Sequence, residues 1–383
     1  MKSNITSSQT RKNTYILLLF WMLFLTGMNS TAQNIYSALS ETWTNNAWQK
    51  ETQTLNTYDS NNYLINSLIQ SWTAPSGPWE NTVQMNYTNN SDGTVSQSVT
   101  QTWNAGSSTW ENAQRTLFTY NAAKKILTEI SQFWNSGDWI NISKVTNTYD
   151  GSGYRINTLN QSWNFITSDW RNESQTIFTN NANGSINQSL TQNWNGSIWV
   201  NYRRTSYTYN AGDKVTIAVT ENWTGTNWLT GTMETNTYDA SGYLINSLSQ
   251  SWSSFSGIWV NTSQSIYTNN ASGNPLQIVS QNWDSGTSSW VNDTRLTFDY
   301  TLGISDFIKD SLFAVYPNPT TDVINVKLID FNSDAMYSIT DQTGRIVQKG
   351  QLNSELTSLD ISALAKGIYI FSIDKNNMKI IKN

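Results

Sequence analysis

Tyr238-Asp239-Ala240-Ser241-Gly242-Tyr243-Leu244-Ile245-Asn246-Ser247-Leu248-Ser249-Gln250-Ser251-Trp252-Ser253-Ser254-Phe255-Ser256-Gly257-Ile258-Trp259 is the stretch whose reading decides the fold. It opens on an Asp-Gly turn and runs into a segment where Leu244, Leu248 and Trp252 share one parity while Ser247, Ser249 and Ser251 share the other. It then turns again between two tryptophans. Alternation with period two marks a β-strand with one apolar and one polar face.

The same segment recurs along the chain. Eighteen of the 19 tryptophans form nine pairs, from Trp43/Trp48 to Trp283/Trp290, and the second Trp of each pair precedes the first of the next by 24 residues. Within a pair the offset is five or seven. Two extra loop residues keep flanking side chains opposite each other on one face of an antiparallel hairpin, so the pairs are read as cross-strand partners.

With the second Trp as position zero, Thr sits at +9 in eight of nine units, +20 is always aliphatic, and +22 is Gln or, at Glu221, Glu. Gly recurs at +14, where a turn needs a positive φ. Positions +8 and +10 repeat every third hairpin, as Asn56/Tyr58, Asn147/Tyr149 and Asn236/Tyr238 show. The expected body is therefore all-β, with nine ~30-residue antiparallel hairpin units in three triplets spanning 33–300. One greasy face must be hidden, which predicts a coiled or closed sheet with the Trp rows inward. Of these, the coil is the favoured form.

Residues 1–32 read as a secretory signal: Lys2, Arg11 and Lys12 precede an apolar run from Tyr15 to Leu25, with cleavage expected between Ala32 and Gln33. The apolar run is too short to be read as a membrane anchor. Without cysteine there are no disulfides and no thiolate chemistry; without histidine, the commonest general base and the usual zinc ligands are missing. A formal charge of -5 argues against nucleic acid as a partner.

After Tyr300 the Trp stops, and 301–311 read as a linker to a second domain at 312–383. There Phe313-Ala314-Val315-Tyr316-Pro317-Asn318-Pro319, Val323-Ile324-Asn325-Val326, Tyr337-Ser338-Ile339-Thr340-Asp341, Gly367-Ile368-Tyr369-Ile370-Phe371 and Lys379-Ile380-Ile381-Lys382 are short alternating strands, expected to form a small β-sandwich. This order resembles the type A C-terminal sorting domain of the type IX secretion system. The resemblance implies export to the surface or exterior of a Gram-negative bacterium, recognition by the translocon, removal by the sorting protease, and release or attachment to surface lipopolysaccharide. It also implies roles for Tyr316, Pro317, Asn318 and Pro319 at the domain's opening, for Asp341 and Gly344 in a turn, and for Gly367, Tyr369, Lys379 and Lys382 at the end presented to the machinery. The Tyr-Asp turns, such as Tyr238-Asp239, more loosely resemble the YD repeats of Rhs-type shell proteins.

For the body, the leading expectation is a non-catalytic adhesin or glycan-binding protein, with aromatics to stack on sugars and amides to bond their hydroxyls. The blander reading of any one Trp is core packing. Trp43, Trp48, Trp283 and Trp290, the end pairs, are the candidate stacking residues because an open sheet leaves them without a neighbour on one side. The alternative is a structural surface or matrix block without a ligand. A glycosidase is the third reading, and Asp59, Asp150, Asp239, Glu41 and Glu221 do not read as its acid/base pair. No cofactor or metal is expected.

Overall fold

The computed structural model describes residues 34–75, 77–300, 313–317, 320–328, 335–341, 345–373 and 376–382. The signal segment with Ala32 and Gln33, the linker 301–311, and Asn318, Pro319 and Gly344 lie outside the described residues. The chain divides into two compact units, Met1–Phe298 and Asp299–Asn383.

The first unit is one antiparallel sheet of 18 strands, from β1 (Ser37–Thr44) and β2 (Ala47–Tyr58) to β18 (Ser289–Asp299). Each strand pairs with its sequence neighbours, and β1 pairs with both β2 and β18. The sheet is thus a closed barrel, which corrects the preference for an open coil. Closure gives every strand a partner on both sides, whereas a coil would leave two edges of unpaired N–H and C=O groups.

All nine Trp pairs are direct cross-strand partners, as in Trp43↔Trp48 and Trp252↔Trp259. Their ring centroids lie 4.9–5.2 Å apart, tilted by 56–70°. An edge-to-face pair contributes about 0.5–1.5 kcal/mol beyond its buried area. Just past each pair, the returning strand carries one extra residue opposite a normal step: Glu51 between the partners of Ser40 and Glu41, for example, and Thr82 between those of Ile69 and Gln70. This bulge shifts parity, so residues at +2 and +5 share the face of the Trp and of the +22 Gln.

The opposite ends of the Trp hairpins are clipped by side chains. The hydroxyls of Tyr58, Tyr120, Tyr149, Tyr209 and Tyr238 donate to the carbonyls of Ile35, Val95, Ile126, Ile186 and Val215 at 2.7–2.9 Å. Where +10 is Asn, the amides of Asn89, Asn180 and Asn269 do the same to Leu64, Arg155 and Leu244. In the first hairpin of each triplet, Asn56, Asn147 or Asn236 at +8 joins the tyrosine on that carbonyl. The triplet period is therefore a period of clip chemistry. Burial pushes the Tyr58 hydroxyl up to about 12, so the clip stays protonated and donating.

The second turn is built by Asp or Asn. Asp239 Oδ1 accepts the backbone N–H groups of Ser241 and Tyr243, both at 2.9 Å, and Asp59 and Asp150 repeat the motif. Gly242 and Gly184 have φ of +80° and +85°, where a Cβ is strained. A Cβ on Gly242 would meet nothing within 4 Å, whereas one on Gly184 would lie 2.0 Å from the Tyr154 ring of the preceding hairpin. G242A is expected to cost about 1 kcal/mol and G184A about 2–3 kcal/mol, read by urea unfolding. Equal costs would show that the tyrosine yields freely.

The second unit holds a three-stranded sheet, β19 (Phe313–Tyr316), β20 (Val323–Leu328) and β23 (Leu356–Asp360), and a four-stranded sheet. The latter orders β22 (Ile346–Gln351), β21 (Met336–Asp341), β24 (Gly367–Ile373) and β25 (Asn376–Lys382). Inward residues of both sheets form one cluster that includes Phe313, Ile324, Val326, Ile339, Phe371 and Ile380, each at most 1% exposed. This is a packed apolar core of the ordinary kind. The barrel has no counterpart among the described residues: its fully buried apolar side chains are the scattered Ile35, Ala38, Met85, Ile278 and Phe298.

Candidate functional site

The expected dry Trp face is instead amphipathic. None of the 18 paired tryptophans is fully buried, and Trp252 is the most exposed of them at 36%. The physical reason lies two residues before each first Trp, where the +22 amide shares its face and must find partners. Gln70 accepts from Gln53 at 2.7 Å and donates to Asn81 at 2.9 Å. Gln101 links Gln84 and Asn112, Gln192 links Gln175 and Asn201, and Gln281 links Gln264 and Asn292 in the same way. A belt of amides runs beside the Trp pairs.

Three arginines enter this belt at +5, one in the third hairpin of each triplet. Arg204 holds Glu221 through Nε at 2.5 Å and an Nη at 3.0 Å; Arg295 holds Glu41 through both nitrogens at 2.6 Å. The second pair bridges the β1–β18 seam. Arg115 Nε instead donates to Gln132 at 2.6 Å. Each guanidinium also lies over a Trp of the following hairpin: Arg115 on Trp139 at 5.0 Å, Arg204 on Trp228 and Arg295 on Trp48 at 4.7 Å. Lys50 and Lys144 sit over Trp72 and Trp170 at 4.5 and 6.0 Å.

Trp43 and Trp48 meet the β18 side of the barrel across the seam, so closure removes the ground on which they and Trp283 and Trp290 were set apart. All four are half-buried, as are the other paired tryptophans except Trp252. The Arg115 environment and the exposed Trp252 were not singled out from the sequence. Glu41 and Glu221 lie on the Trp face, each committed to an arginine, while Asp59, Asp150 and Asp239 are spent on their own turns. No cluster of three acidic groups able to hold a metal ion occurs among the described residues.

In the second unit Tyr316 ends β19 and Pro317 follows it, exposed. Asp341 accepts from the Arg345 backbone at 3.1 Å and pairs with its guanidinium at 3.0 Å. Gly367 opens β24, and buried Tyr369 donates to the Ala365 carbonyl at 2.8 Å. Lys379 stands opposite Ile370 in β25. Lys382 is 7% exposed: its ammonium bonds the Thr321 carbonyl and pairs with Asp322 at 3.5 Å, tying the last strand to the start of the domain.

Residues 314–383 match the family described as Secretion system C-terminal sorting domain. This tail is that of proteins exported by the type IX secretion system to the exterior or the cell surface. No curated protein matches the chain. Among solved structures, a porin-like protein from Bacteroides uniformis is 13% identical, covering 69% of this chain and 96% of its own, at a TM-score of 0.37. A protein of unknown function from Bacteroides fragilis is 19% identical over 33% of this chain and 91% of its own, at 0.29. PorZ from Porphyromonas gingivalis, a surface component of the type IX secretion system, is 10% identical over 94% and 60%, at 0.17.

Proposed function

We propose that this chain, carried to the cell exterior by its type IX sorting domain, is a non-catalytic glycan-binding protein whose ligand surface is the Trp face of the barrel. One observation carries the reading: nine Trp pairs remain partly exposed beside a row of amides instead of being sunk in a core. Indole rings offer apolar faces to sugar C–H groups, and amides offer paired donors and acceptors to hydroxyls. Glu41 and Glu221, the carboxylates of the belt, are each paired with an arginine, whereas glycoside hydrolysis uses two carboxyls about 5–10 Å apart. A bilayer pore is disfavoured, because a membrane barrel carries an outward apolar band roughly 25 Å tall. Here one face is crossed by the Gln/Asn belt and the other is rich in Ser and Thr.

The test is acrylamide quenching of tryptophan fluorescence in the mature full chain, with and without bacterial surface polysaccharides. We expect a quenchable fraction that at least one polysaccharide protects, and a smaller protected fraction in W252A. A quenchable face that no polysaccharide shields would favour the second reading, a structural surface block. That reading draws on the mutual satisfaction of the amide belt.

A further inference from the structure

The three triplets place the same arginine at the same point of the belt, and only one of the three is left without a counter-charge. At Arg204 and Arg295 the guanidinium fork is filled by the carboxylates of Glu221 and Glu41. At Arg115, on β6 (Thr109–Tyr120), the facing residue of β7 (Ile126–Asn135) is Gln132. Its amide oxygen accepts one bond, from Nε, and its nitrogen is spent on Asn141 at 2.8 Å.

One strand further on, β8 (Asp138–Tyr149) brings a second cation to the same face, Lys144, opposite Ile130. The corresponding residues of the other triplets are uncharged Gln53 and Met233. Two strand spacings and a two-residue offset put the Cα atoms of Arg115 and Lys144 roughly 12 Å apart. Neither cation forms an ion pair among the described residues, and both are partly exposed. The one carboxylate on β7, Glu129, stands opposite Val145 and in the parity of the other face. Trp139, partly exposed, lies beneath the Arg115 guanidinium, and the Lys144 ammonium reaches over Trp170 of the next hairpin at 6.0 Å.

We propose that Arg115, Lys144 and Trp139 form a subsite for an acidic sugar of a polysaccharide, the ligand's carboxylate or sulfate supplying at the Arg115 Nη groups the counter-charge that Glu221 and Glu41 supply in the other sectors. The inference rests on the glycan-binding reading and names the ligand's charge. A guanidinium binds a carboxylate or sulfate through two parallel N–H donors, and the indole stacks the ring that bears it. A partly dehydrated surface with two cations and no anion favours such a partner although the chain as a whole carries a formal charge of -5.

The belt itself supplies mild test variants. R115Q recreates the Gln–Gln contact that Gln53–Gln70 and Gln84–Gln101 already make. Q132E recreates the Arg–Glu pair of Arg204–Glu221 and fills the fork from within. Binding of the mature full chain would be measured to dextran sulfate and dextran, and to polygalacturonate and its carboxyl-reduced form, with melting temperature as the folding control. The expected result is tighter binding of an acidic polymer than of its neutral match. That preference should fall about tenfold in R115Q, K144Q and Q132E, and also with added salt. The two acidic polymers distinguish sulfate from carboxylate recognition. Equal binding of acidic and neutral polymers, or undiminished acidic binding in all three variants, would overturn the subsite and leave the glycan reading standing. Binding of none of the four would overturn both.

Discussion

F371A is expected to abolish export, with the protein accumulating in the periplasm. Phe371 is 0% exposed, its ring meeting Phe313 at 5.3 Å edge-on and Tyr337 at 5.4 Å in a stack. It therefore joins the two sheets of the sorting domain. Deleting a buried phenylalanine ring costs about 3–5 kcal/mol, and a domain of this size holds roughly 4–10 kcal/mol in all. Most of the stability is lost in one step. The control is I368A, three residues earlier on the same strand and 37% exposed, which is expected to export normally. Fractionation of cells followed by immunoblotting reads both. Wild-type export of F371A would mean that the machinery recognises an unfolded segment and not the assembled domain.

E41A is expected to destabilise the barrel by about 3 kcal/mol, the cost of leaving one partner of a largely buried ion pair uncompensated. Glu41 has a side-chain exposure of 10% and Arg295 one of 25%, and their contact joins residues 254 positions apart in the chain. Its removal strikes the seam directly. E41Q should cost only about 1 kcal/mol, because glutamine is what the belt uses at this position elsewhere and still accepts one bond. E221A should cost less than E41A, since Arg204 and Glu221 are more exposed at 32% and 22% and lie between consecutive strands. Urea unfolding monitored by tryptophan emission gives the three values. If E41A and E221A cost the same, closure draws no special stability from the seam pair.

Much of the barrel was legible because its rules are local. A Trp pair at an offset of five or seven specifies a hairpin register within a few residues, and an Asp or Asn followed by Gly specifies the return turn from its own side chain. The candidate site was less legible. Simple alternation puts +2 and +5 on opposite faces, but the bulge residues such as Glu51 and Thr82 bring both to the Trp face. The partners of the +22 glutamines were therefore hidden, and with them the contrast between Gln132 and Glu221. The ground for setting the end pairs apart was of a different kind: it assumed that the sheet has ends, and β1 pairs with β18.

By itself, the sequence determined the strands, their pairing within and between neighbouring hairpins, the turn chemistry, and the sorting domain that sends the protein out of the cell. These depend on contacts within one or two dozen residues, where a pattern and its partner are read together. Only the tertiary structure decided that β18 returns to β1, that the Trp face stays partly open, and that one arginine of three lacks its carboxylate. Closure depends on the twist and bulges of all 18 strands summed around the ring. Glu41 and Arg295 acquire their meaning only once that sum brings them within 2.6 Å.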